Sequence, residues 1–543
     1  MKKLSEIIKN MPIKSIIGNP DTQIRGIAYD SRQIGKDFVF VAIKGQHLDG
    51  NKFIPDAVKS GASVVLVEEQ PPLSPPLIKG GKGEVTQVIV PDVREAMAKL
   101  SAVFYGEPSK GMTLIGVTGT NGKTTTTYLI ESILTSAGLN PGVIGTVNYR
   151  YNGSIFDAAH TTPEASDLQL IFRNMADSGV THCVMEVSSH ALAQKRVDGS
   201  RFIGAAFTNL TQDHLDYHKT MDDYFKSKRR LFTDFIAKEE KGFSVINIDD
   251  EWGRNLMDMI MDKRQDVNKQ RRIIRYSLNG NSEVAPKTSI FSERGIEASL
   301  NTPIGFINIS SPLLGEYNLQ NIMAAVGVGV GLGLDKGDVE KGINNLKLVR
   351  GRLERIVSRE GFQAIVDYAH TGDALERVLK SLRPLTKGRL ISVFGCGGDR
   401  DRGKRPIMGE IATRLSDFTI VTSDNPRSED AVQIIKEIER GINTGVKGQG
   451  PAPAGSKQGS GVRRVEDFQI RNQKSEIRNA YTAIPDRHEA IRVAVNMAVP
   501  QDIILIAGKG HEDYQIIGDR KFPFDDVKEI KKAMAEREAM KVA

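Results

Sequence analysis

The sequence predicts an α/β protein of three domains, with a central phosphate-loop (P-loop) domain on a doubly wound parallel sheet and a Rossmann-like C-terminal domain. The 543 residues are enough for about three domains. Short apolar runs typical of buried strands alternate with stretches of helical periodicity, which favours parallel strands joined by helices. Glycine-bearing or charged motifs follow most of these runs, as expected where ligands bind beyond the carboxyl ends of parallel strands.

Composition and charge narrow the class of protein. Hydrophobic residues make up 39% of the chain, as in proteins that bury several cores. The 74 basic and 67 acidic residues leave a net charge of +7 without a long basic block, which permits an anionic substrate and does not favour nucleic acid. Cys183 and Cys396 lie far apart and suggest neither a zinc site nor a disulfide framework. Without a secretory leader or a long apolar run, we expect a cytoplasmic protein with no membrane span.

The N-terminal domain is predicted over residues 1–108. Its apolar runs at 38–43 and 62–67 are typical of buried strands, and a polar loop that contains Ser31 precedes the first of them. The proline- and glycine-rich stretch at 70–85 has no periodicity, so we interpret it as a surface insertion.

The central domain begins with a phosphate-binding motif. An apolar run at 114–117 leads into the glycine-rich turn 118–122, and Lys123 and Thr124 then open a helix. Glycines let backbone N–H groups approach phosphate oxygens, Lys123 can reach the β- and γ-phosphates, and the Thr124 hydroxyl can contact Mg²⁺. The spacing is a variant, because Val117 stands where a glycine is expected. An ordinary glycine-rich turn between strand and helix is the alternative.

The rest of the central domain, which we place at residues 109–347, contains three more candidate strands. They lie at 182–185, 205–207 and 244–248. Glu186 follows the first of them, and a carboxylate beside a phosphate loop suits Mg²⁺, although it could also be a helix cap or a surface acid. His190, His214 and His218 could orient phosphate or hold a second ion, or could have structural roles only.

Lys228 is unusual among the basic residues of the central domain. It lies four residues after Tyr224 and four before Phe232 on the apolar stripe of a predicted helix over 221–236. Its basic neighbours Lys226, Arg229 and Arg230 fall off the stripe and are expected to be solvated. An inward lysine needs a partner or a changed charge, whereas a lysine at the edge of the stripe could extend its amine to water.

The C-terminal domain is predicted over residues 348–543. Four apolar runs, each followed by a charged or glycine-bearing motif, are the candidate core strands; they lie at 364–366, 390–394, 418–421 and 503–507. A low-complexity stretch near 442–482 is expected to be a disordered insertion, and residues 525–542 are expected to form a terminal helix.

Two arginines of the C-terminal domain suggest an amino-acid site. Arg400 and Arg427 follow different predicted strands, and two guanidinium groups can bind a carboxylate through paired hydrogen bonds. Asp424, Asn425 and Glu512 could receive an ammonium group. The alternative is that these are turn residues, since Asn-Pro is itself a turn signal.

Taken together, these motifs resemble those of the Mur ligases, which are ATP-dependent ligases that form amide bonds in bacterial cell-wall synthesis. The matching motifs follow one order along the chain and lie at 119–125, 186–190, 213–218, 315–321, 351–354, 367–370 and 508–512. The resemblance covers nearly the whole chain except the two predicted insertions. It also accounts for Val117, because this glycine pattern is the family's own.

The resemblance implies a role for each motif. ATP would be bound by Gly119, Thr120, Asn121, Gly122, Lys123, Thr124, Thr125, Asn321, Arg352 and Asp367. The UDP-linked muramoyl-dipeptide substrate would be held by Ser31, Thr161, Thr162, Ser188, Gln194 and Arg196. Lys228 aligns with a lysine that the family carbamylates to N6-carboxylysine, and with Thr124 and Glu186 it would bind Mg²⁺. Lys123, Lys228 and His214 would be the catalytic residues.

Within the family, the chain most resembles the members that add a third amino acid to UDP-N-acetylmuramoyl-L-alanyl-D-glutamate. The run Asp424-Asn425-Pro426-Arg427 matches the pattern of those that add meso-2,6-diaminopimelate, and Arg400, Gly508 and Glu512 would complete that site. The implied reaction passes through an acyl phosphate, which the amine of diaminopimelate attacks. We expect a monomer whose three domains close to bring ATP and both substrates together.

Other functions are compatible with parts of this pattern. A lysine-adding tripeptide synthetase or a folylpolyglutamate synthetase would share the phosphate loop, but the lysine-adding relatives usually lack the arginine at position 427. A nucleotide-binding regulator would keep the fold without turnover, which the intact Lys123, Glu186 and Lys228 argue against. A nucleic-acid ATPase would need a basic stripe, and none is evident in the sequence.

Overall fold

The computed structural model describes residues 1–45, 48–69, 85–262, 272–445 and 480–542. Their contacts separate the α/β fold into two compact units: Met1–Ser289, Glu297–Ser311 and Leu319–Leu346 form the first, and Ile290–Ile296, Pro312–Asn318 and Lys347–Ala543 form the second. The predicted insertions near 70–85 and 442–482 lie largely outside the described residues. The domain boundaries near 108 and 347 stay predictions.

The N-terminal part of the first unit is built on a small sheet. Its strands are β1 (Lys2–Lys3), β2 (Ser15–Ile17), β3 (Gln23–Ile24), β4 (Gly26–Ala28), β5 (Phe38–Val41), β6 (Ala62–Val67) and β7 (Thr86–Ile89). Its helices are α1 (Leu4–Ile7), α2 (Ile54–Ser60) and α3 (Val93–Phe104). The five-stranded sheet has the order β2-β7-β6-β5-β4. β4 to β7 run parallel and β2 is antiparallel to β7, while β1 pairs with β3.

The larger sheet of the first unit carries the phosphate loop. Its strands are β8 (Thr113–Thr118), β9 (Pro141–Ile144), β10 (Asn148–Tyr151), β11 (Ser154–Asp157), β12 (His182–Glu186), β13 (Gly204–Phe207), β14 (Phe243–Asn247) and β15 (Arg272–Tyr276). The helices are α4 (Lys123–Ser136), α5 (Ala165–Asp177), α6 (Ser189–Ala193), α7 (Leu215–His218), α8 (Met221–Arg230) and α9 (Glu251–Asp262). The sheet order is β11-β10-β9-β12-β8-β13-β14-β15.

This sheet is parallel from β9 to β15, as predicted, but β10 and β11 add an antiparallel hairpin at one edge. The hairpin turns at Asn152 and Gly153, which have φ angles of 48° and 75°. An Asn-Gly pair accepts two left-handed residues in succession and closes a two-residue hairpin. The signal was therefore present in the sequence although the hairpin was not predicted.

The chain continues through a small sheet and two helices. The strands are β16 (Ala285–Ser292), β17 (Gly295–Asn301) and β18 (Ile307–Ser311), and the helices are α10 (Glu316–Leu332) and α11 (Lys336–Asn345).

The main sheet of the second unit has the order β19-β20-β24-β21-β22-β23. The strands of the second unit are β19 (Glu354–Val357), β20 (Gln363–Asp367), β21 (Leu390–Phe394), β22 (Phe418–Val421), β23 (Ala480–Ala483), β24 (Ile503–Ala507), β25 (Tyr514–Ile517) and β26 (Arg520–Pro523). The helices are α12 (Gly372–Leu382), α13 (Lys404–Leu415), α14 (Ala431–Gly445), α15 (Arg487–Met497) and α16 (Asp526–Val542). All neighbours in the main sheet pair in parallel except β19, and β25 and β26 form a separate hairpin.

Helices cover both faces of this second-unit sheet, as a Rossmann-like domain requires. Ile365 of β20 belongs to one apolar cluster with Leu505, whereas its neighbour Val366 belongs to another with Ile504. Because successive side chains of a strand point to opposite faces, both faces must be buried. This explains why these strands appear in the sequence as continuous apolar runs.

Short polar side chains mark where several helices begin. Asp92 accepts a hydrogen bond from the Glu95 N–H at 2.9 Å at the start of α3, and Asp486 accepts one from the Glu489 N–H at 2.8 Å at the start of α15. Each cap satisfies one of the N–H groups that have no partner within the helix. Among the described residues, no helix is both long and apolar enough to span a bilayer.

A buried ion pair joins the first residues of two helices of the second unit. Arg487 of α15 donates to both carboxylate oxygens of Asp526 of α16 at 2.8 Å, and neither side chain is exposed. The same guanidinium group also donates to the Ala507 carbonyl at 3.1 Å, at the end of β24. The pair therefore ties the terminal helix to the carboxyl edge of the sheet.

We predict that Asp526→Ala lowers the local unfolding free energy of the second unit by about 3–5 kcal/mol, because it leaves the Arg487 guanidinium buried without its carboxylate. Hydrogen exchange of the β24 amides measures this free energy. The control is Lys380→Ala, which removes an exposed pair with Glu376 and should cost less than about 1 kcal/mol. A loss of less than about 1 kcal/mol in Asp526→Ala would contradict the prediction.

Candidate active site

The glycine loop between β8 and α4 has a backbone that only glycine adopts easily. Gly119 and Gly122 have φ angles of 150° and 88°. A Cβ at Gly119 would lie 1.9 Å from the Thr208 hydroxyl oxygen, and one at Gly122 would lie 2.3 Å from Asn321 Oδ1. Asn321 therefore lies against the phosphate loop, although it follows Gly122 by 199 positions in the sequence.

The side chain of Lys123 folds back over the loop. Its Nζ donates to the carbonyl oxygens of Gly119 at 2.9 Å and Thr120 at 2.8 Å. The ammonium group is thus held above the turn, where phosphate oxygens would approach a loop of this kind. Thr125 is buried in the first turn of α4.

Residues that follow β13 fix the shape of the loop. The Asn121 N–H donates to Asn209 Oδ1 at 2.9 Å, and the Thr208 hydroxyl donates to the Asn121 carbonyl at 2.6 Å. The Thr120 hydroxyl lies 3.1 Å from the Tyr224 hydroxyl. Neither Thr208 nor Asn209 was predicted as a site residue. Their position after β13, which pairs with β8, was the available signal.

Glu186 and Thr124, which were predicted as oxygen ligands, lie in contact with each other. The Thr124 hydroxyl lies 3.0 Å and 3.1 Å from the two carboxylate oxygens of Glu186, and both residues are buried. The Thr146 N–H and hydroxyl donate to the same carboxylate at 2.8 Å and 3.0 Å. Thr146 was missed in the sequence because it follows β9, which had not been predicted as a strand.

This oxygen pair fits a small hard cation such as Mg²⁺, which prefers a few protein oxygens together with phosphate oxygens and water. Within the described parts of the chain, no group of three or more His, Cys, Asp or Glu side chains could hold a metal by itself. The remaining ligands would have to come from phosphate, water or a modified side chain.

Lys228 is buried, as its place on the apolar stripe predicted, with an exposure of 1%. Its Nζ donates to the Gly119 carbonyl at 2.8 Å and lies 4.7 Å from the centre of the Tyr224 ring. Burial, with a further contribution from the positive charge of Lys123, lowers the pKa of Lys228 well below its ordinary value. The structure therefore brings an amine that resists protonation to the phosphate loop.

The surroundings of Lys228 differ from the prediction in two details. Arg230 was expected to be solvated, but it pairs with Asp198 at 2.9 Å, because the helix turns this side chain toward the polypeptide that precedes β13. The predicted helix over 221–236 is regular only to Arg230 and continues as a wider turn over Leu231–Phe235.

Three histidines lie close together beside Lys228. The ring centres of His190 and His214 are 4.9 Å apart, and those of His190 and His218 are 5.4 Å apart. Burial lowers the pKa of His214 and of His218 to about 4, and it also lowers that of His190. All three rings are therefore neutral at pH 7. The His218 Nε2 is hydrogen-bonded to the Ser189 hydroxyl at 2.9 Å. The suggestion that the three histidines hold a second metal ion is not supported, because they do not form a metal-binding group among the described residues.

Most of the predicted muramoyl-dipeptide residues lie in one network beside Glu186. The Thr162 hydroxyl donates to the Glu186 carbonyl at 2.8 Å and accepts from the Ser188 N–H at 3.0 Å, and the Thr161 hydroxyl lies 3.0 Å from that of Thr146. These contacts bring Thr161, Thr162 and Ser188 together next to the candidate cation ligands.

Arg196 and Gln194 extend the same network. Arg196 donates to Gln194 Oε1 at 2.7 Å and 3.1 Å and to the Thr162 carbonyl at 2.9 Å, and it pairs with Glu164 at 2.9 Å. Ser31 opens a single helical turn in the N-terminal part of this unit. Its neighbour Tyr29 donates to Asp167 at 2.8 Å, which joins that part to α5 of the central sheet.

The predicted nucleotide contacts Arg352 and Asp367 lie in the second unit. Asp367 accepts hydrogen bonds at 2.8 Å from the N–H groups of Leu353 and Ala369, and burial raises its pKa. The Arg352 guanidinium carbon lies 4.6 Å from the centre of the Tyr368 ring. The two residues are therefore neighbours at the carboxyl edge of the second-unit sheet.

Arg400 and Arg427 meet at the same edge. If Gly397 carried a Cβ atom, that atom would lie 3.0 Å from Arg427 Nη1 and 3.8 Å from Arg400 Cγ, so both side chains pass close to Gly397. Arg427 is half-buried, and burial together with the charge of Arg400 lowers its pKa, whereas Arg400 is exposed. The charge of Arg400 acts on Arg427, and an anion would relieve this repulsion, so the arrangement suits a carboxylate ligand.

The predicted ammonium-binding residues lie beside the two arginines. Asn425 Nδ2 donates to the Glu512 carboxylate at 2.9 Å. Gly508 lies against the Asp424 carboxylate, since a Cβ atom on this glycine would be only 2.5 Å from Asp424 Oδ2. Burial and the charge of Asp424 raise the pKa of Glu512. Pro426 is buried between Asn425 and Arg427. Asp424, Asn425, Pro426, Gly508 and Glu512 are thus gathered in one place, as predicted.

Lys509 was not predicted as a site residue. It is fully buried and lies 3.2 Å from Asn425 Oδ1, 3.5 Å from Glu512 and 3.9 Å from Asp424. Its positive charge offsets part of the negative charge of the two carboxylates. Its place inside the motif 508–512 was the only signal, and nothing in the local pattern shows that the side chain points inward.

Comparison with known proteins identifies the family. The chain matches the profiles described as Mur ligase family, catalytic domain, over residues 23–105, Mur ligase middle domain over 117–329, and Mur ligase, glutamate ligase domain over 351–510. It is 44% identical over 532 residues to the UDP-N-acetylmuramoyl-L-alanyl-D-glutamate–2,6-diaminopimelate ligase of Geobacter sulfurreducens, with 97% of each chain covered. The enzyme of the same name from Geobacter metallireducens is 45% identical over 522 residues, with 96% of each covered.

Solved structures agree with these relatives. A structure of a UDP-N-acetylmuramoyl-L-alanyl-D-glutamate–2,6-diaminopimelate ligase is 32% identical, with a TM-score of 0.66 and coverage of 99% of this chain and 100% of the other. MurF from Acinetobacter baumannii has a TM-score of 0.61 at 18% identity, with coverage of 99% and 98%, which bears on the fold alone. On the profile matches and the near full-length identities, the chain belongs to the Mur ligase family, whose members are ATP-dependent ligases that form amide bonds.

Proposed function

We propose that the protein joins meso-2,6-diaminopimelate to UDP-N-acetylmuramoyl-L-alanyl-D-glutamate with cleavage of ATP to ADP and phosphate. The observation that carries this proposal is that Arg400 and Arg427 lie near each other and near the carboxylates of Asp424 and Glu512. An amino acid with a carboxylate at its far end uses both arginines, whereas lysine would present an ammonium group to them. The two Geobacter relatives, which are 44% and 45% identical to this chain, are named as ligases for this reaction.

ATP would be held by the loop Gly119–Thr125 together with Asn321, and Arg352 and Asp367 would be further nucleotide contacts. The inward carbonyl contacts of Lys123 support this, because they hold a positive charge above the loop. Thr124 and Glu186 would hold Mg²⁺, which neutralises phosphate charge when it is bound.

Lys228 would become the third ligand of the cation as N6-carboxylysine. Carbamylation requires an uncharged amine, and the buried position of Lys228 beside Lys123 disfavours the charged form. The modified side chain would be an anion, so a cation beside it would remove the cost of burying the group. His214, a neutral ring near Lys228, would help to orient phosphate.

The UDP-linked substrate would be bound by Ser31 near its uridine end and by Thr161, Thr162, Ser188, Gln194 and Arg196 at its dipeptide end. The hydrogen bonds that join Thr162 to Glu186 and Ser188, and Arg196 to Gln194 and Thr162, support this assignment. Thr161 contacts Thr146, which in turn donates to Glu186. These residues and the phosphate loop belong to the same unit, which also supports the assignment.

The reaction would proceed in two steps. A γ-carboxylate oxygen of D-glutamate attacks the γ-phosphorus of ATP, which forms an acyl phosphate and releases ADP. The uncharged amine of diaminopimelate then attacks the acyl carbon, a proton leaves the nitrogen, and phosphate departs. Lys123 stabilises the negative charge that develops on the transferred phosphoryl group, so positioning and electrostatics supply most of the acceleration. We place this step of peptidoglycan precursor synthesis, on which cell shape and division depend, in the cytoplasm, with the protein acting as a monomer.

The direct test of the proposal is phosphate release measured with the UDP-linked dipeptide and one amino acid at a time. Diaminopimelate should support turnover, and lysine and glutamate should not. Preference for lysine would identify a lysine-adding synthetase, and ATP binding without substrate-dependent phosphate release would identify a regulator.

We predict that Arg427→Ala raises the KM for diaminopimelate roughly 10- to 100-fold, because charge-assisted hydrogen bonds to a carboxylate are lost. The KM for ATP should change less than about twofold. The matched control is Arg520→Ala, which removes an exposed arginine of β26 in the same unit and should leave both constants unchanged. Equal losses for diaminopimelate and ATP would count against a role in amino-acid selection.

We predict that Lys228→Ala lowers kcat at least about 100-fold, as expected when a group that stabilises transferred phosphoryl charge is lost. Short carboxylic acids added to the variant should restore part of the activity by replacing the missing carboxylate. Lys226→Ala on the exposed side of α8 is the control and should retain wild-type turnover. Near wild-type activity of Lys228→Ala would exclude the carboxylysine, whatever the amino-acid selectivity.

A further inference from the structure

Two loops of the second unit, 395–402 after β21 and 423–429 after β22, carry Arg400 and Arg427. Their backbones are in contact at Gly398, where no side chain would fit. A Cβ atom on this glycine would lie only 1.9 Å from the Pro426 carbonyl oxygen. The Gly398 N–H donates to the Asn425 carbonyl at 2.9 Å, and Arg427 Nη1 donates to the Gly398 carbonyl at 2.6 Å. The position of each arginine therefore depends on the position of the other loop.

Both loops contain a residue in an unfavourable backbone conformation. Asp399 and Arg427 have φ angles of 53° and 51°, in the left-handed region that side chains other than glycine rarely adopt. A hydrogen bond from the Ser428 hydroxyl to Asp399 Oδ1 at 2.6 Å and one from the Ser428 N–H to Asp399 Oδ2 at 3.2 Å join these two segments. Such a conformation is unfavourable for a residue with a side chain and persists only where surrounding contacts hold it.

Arg405 supplies those contacts from beneath the loops. It is the second residue of α13, and its side chain has no exposure. Its guanidinium group donates to the Gly397 carbonyl at 3.2 Å in the first loop and to both carboxylate oxygens of Glu429 in the second, at 2.9 Å and 3.0 Å. It also donates to Glu437 of α14 at 2.7 Å.

Glu429 receives further donors from the first loop. Its Oε1 accepts from the Asp399 N–H at 2.6 Å, and Arg402 pairs with its Oε2 at 2.9 Å. The hydrogen bonds from Arg405 lower the pKa of Glu429 to about 2, so the carboxylate stays charged at every pH at which the protein would work. One carboxylate of the second loop is thus fixed by three groups of the first loop and of α13.

We propose that Arg405 and Glu429 are positioning residues that set the separation of Arg400 and Arg427, and that this separation decides which amino acid the pocket accepts. Neither residue is assigned to contact the substrate. The inference rests on the proposed function, because it treats the two arginines as the binding site for the far carboxylate of diaminopimelate.

The physical reason is geometric. Paired hydrogen bonds to a carboxylate weaken quickly when their donors shift, since the preferred angles are narrow and the donor–acceptor distances lie close to 2.9 Å. A loosened loop would still bear both charges, so it would attract anions but would no longer distinguish a well-placed carboxylate. Loss of the ion pair between Arg405 and Glu429 should therefore reduce the selectivity for diaminopimelate more than it reduces the rate of the chemical step.

The test is Glu429→Gln, which keeps the size of the side chain and one acceptor oxygen but removes the charge that Arg405 binds. We expect the KM for diaminopimelate to rise roughly 10-fold, and the ratio of kcat/KM for diaminopimelate to that for lysine to fall by a similar factor. The kcat and the KM for ATP should change less than about twofold. Ser428→Ala, on the exposed surface, removes one contact between the same loops and should shift the same ratio in the same direction by a smaller factor.

The control is Glu410→Gln, which weakens an exposed pair with Arg414 in α13 and should leave all constants unchanged. Thermal unfolding of each variant shows whether the fold survives. Arg405→Lys keeps the positive charge but loses the paired donors of the guanidinium group, so it should change the constants in the same way as Glu429→Gln. If the wild type does not use diaminopimelate, the proposed function fails first. If the wild type is selective and Glu429→Gln and Ser428→Ala are equally selective, the positioning role is wrong.

Discussion

Parallel pairing of β12 with β8 sets Glu186 opposite Val117, and pairing of β13 with β8 sets Phe207 opposite Thr118. Three strands therefore end together, and the segments that follow them share one edge. The contact of Glu186 with Thr124 and the contacts of Thr208 with the glycine loop both follow from this register. A slip of one residue would reverse every side chain of the strand and separate these groups.

The second unit repeats the same arrangement with other chemistry. Asp367, Phe394 and Val421 end their strands in register across the sheet, with Ala507 between the first two. The loops beyond them carry the two arginines and the cluster around Asn425. Buried positive charges near these loops have partners of opposite charge, because an unpaired charge is costly in low-dielectric surroundings. Arg405 of α13 binds two carboxylates, and Lys509 lies near Asp424 and Glu512. Lys228 differs, since it donates to a carbonyl oxygen and its charged form is disfavoured.

Much of the fold and the candidate site could be predicted, for reasons that differ between residues. Strands buried on both faces, such as β8 and β24, appear as continuous apolar runs that end where the motifs begin. Lys228 could be recognised because helical spacing alone places it on an apolar stripe. The β10–β11 hairpin was missed although Asn152 and Gly153 signalled it, and Arg230 was misjudged because its partner Asp198 lies 32 residues away.

The sequence by itself determined the glycine loop, the family motifs and the residues proposed to bind phosphate, cation and amino acid. These depend on local spacing, which a chain displays without folding. Only the tertiary structure decided that Thr146 holds Glu186, that Lys509 lies within the amino-acid cluster, and that Arg405 joins two loops through Glu429. These contacts connect segments distant in sequence, so they exist only once the parallel sheets bring the strand ends together.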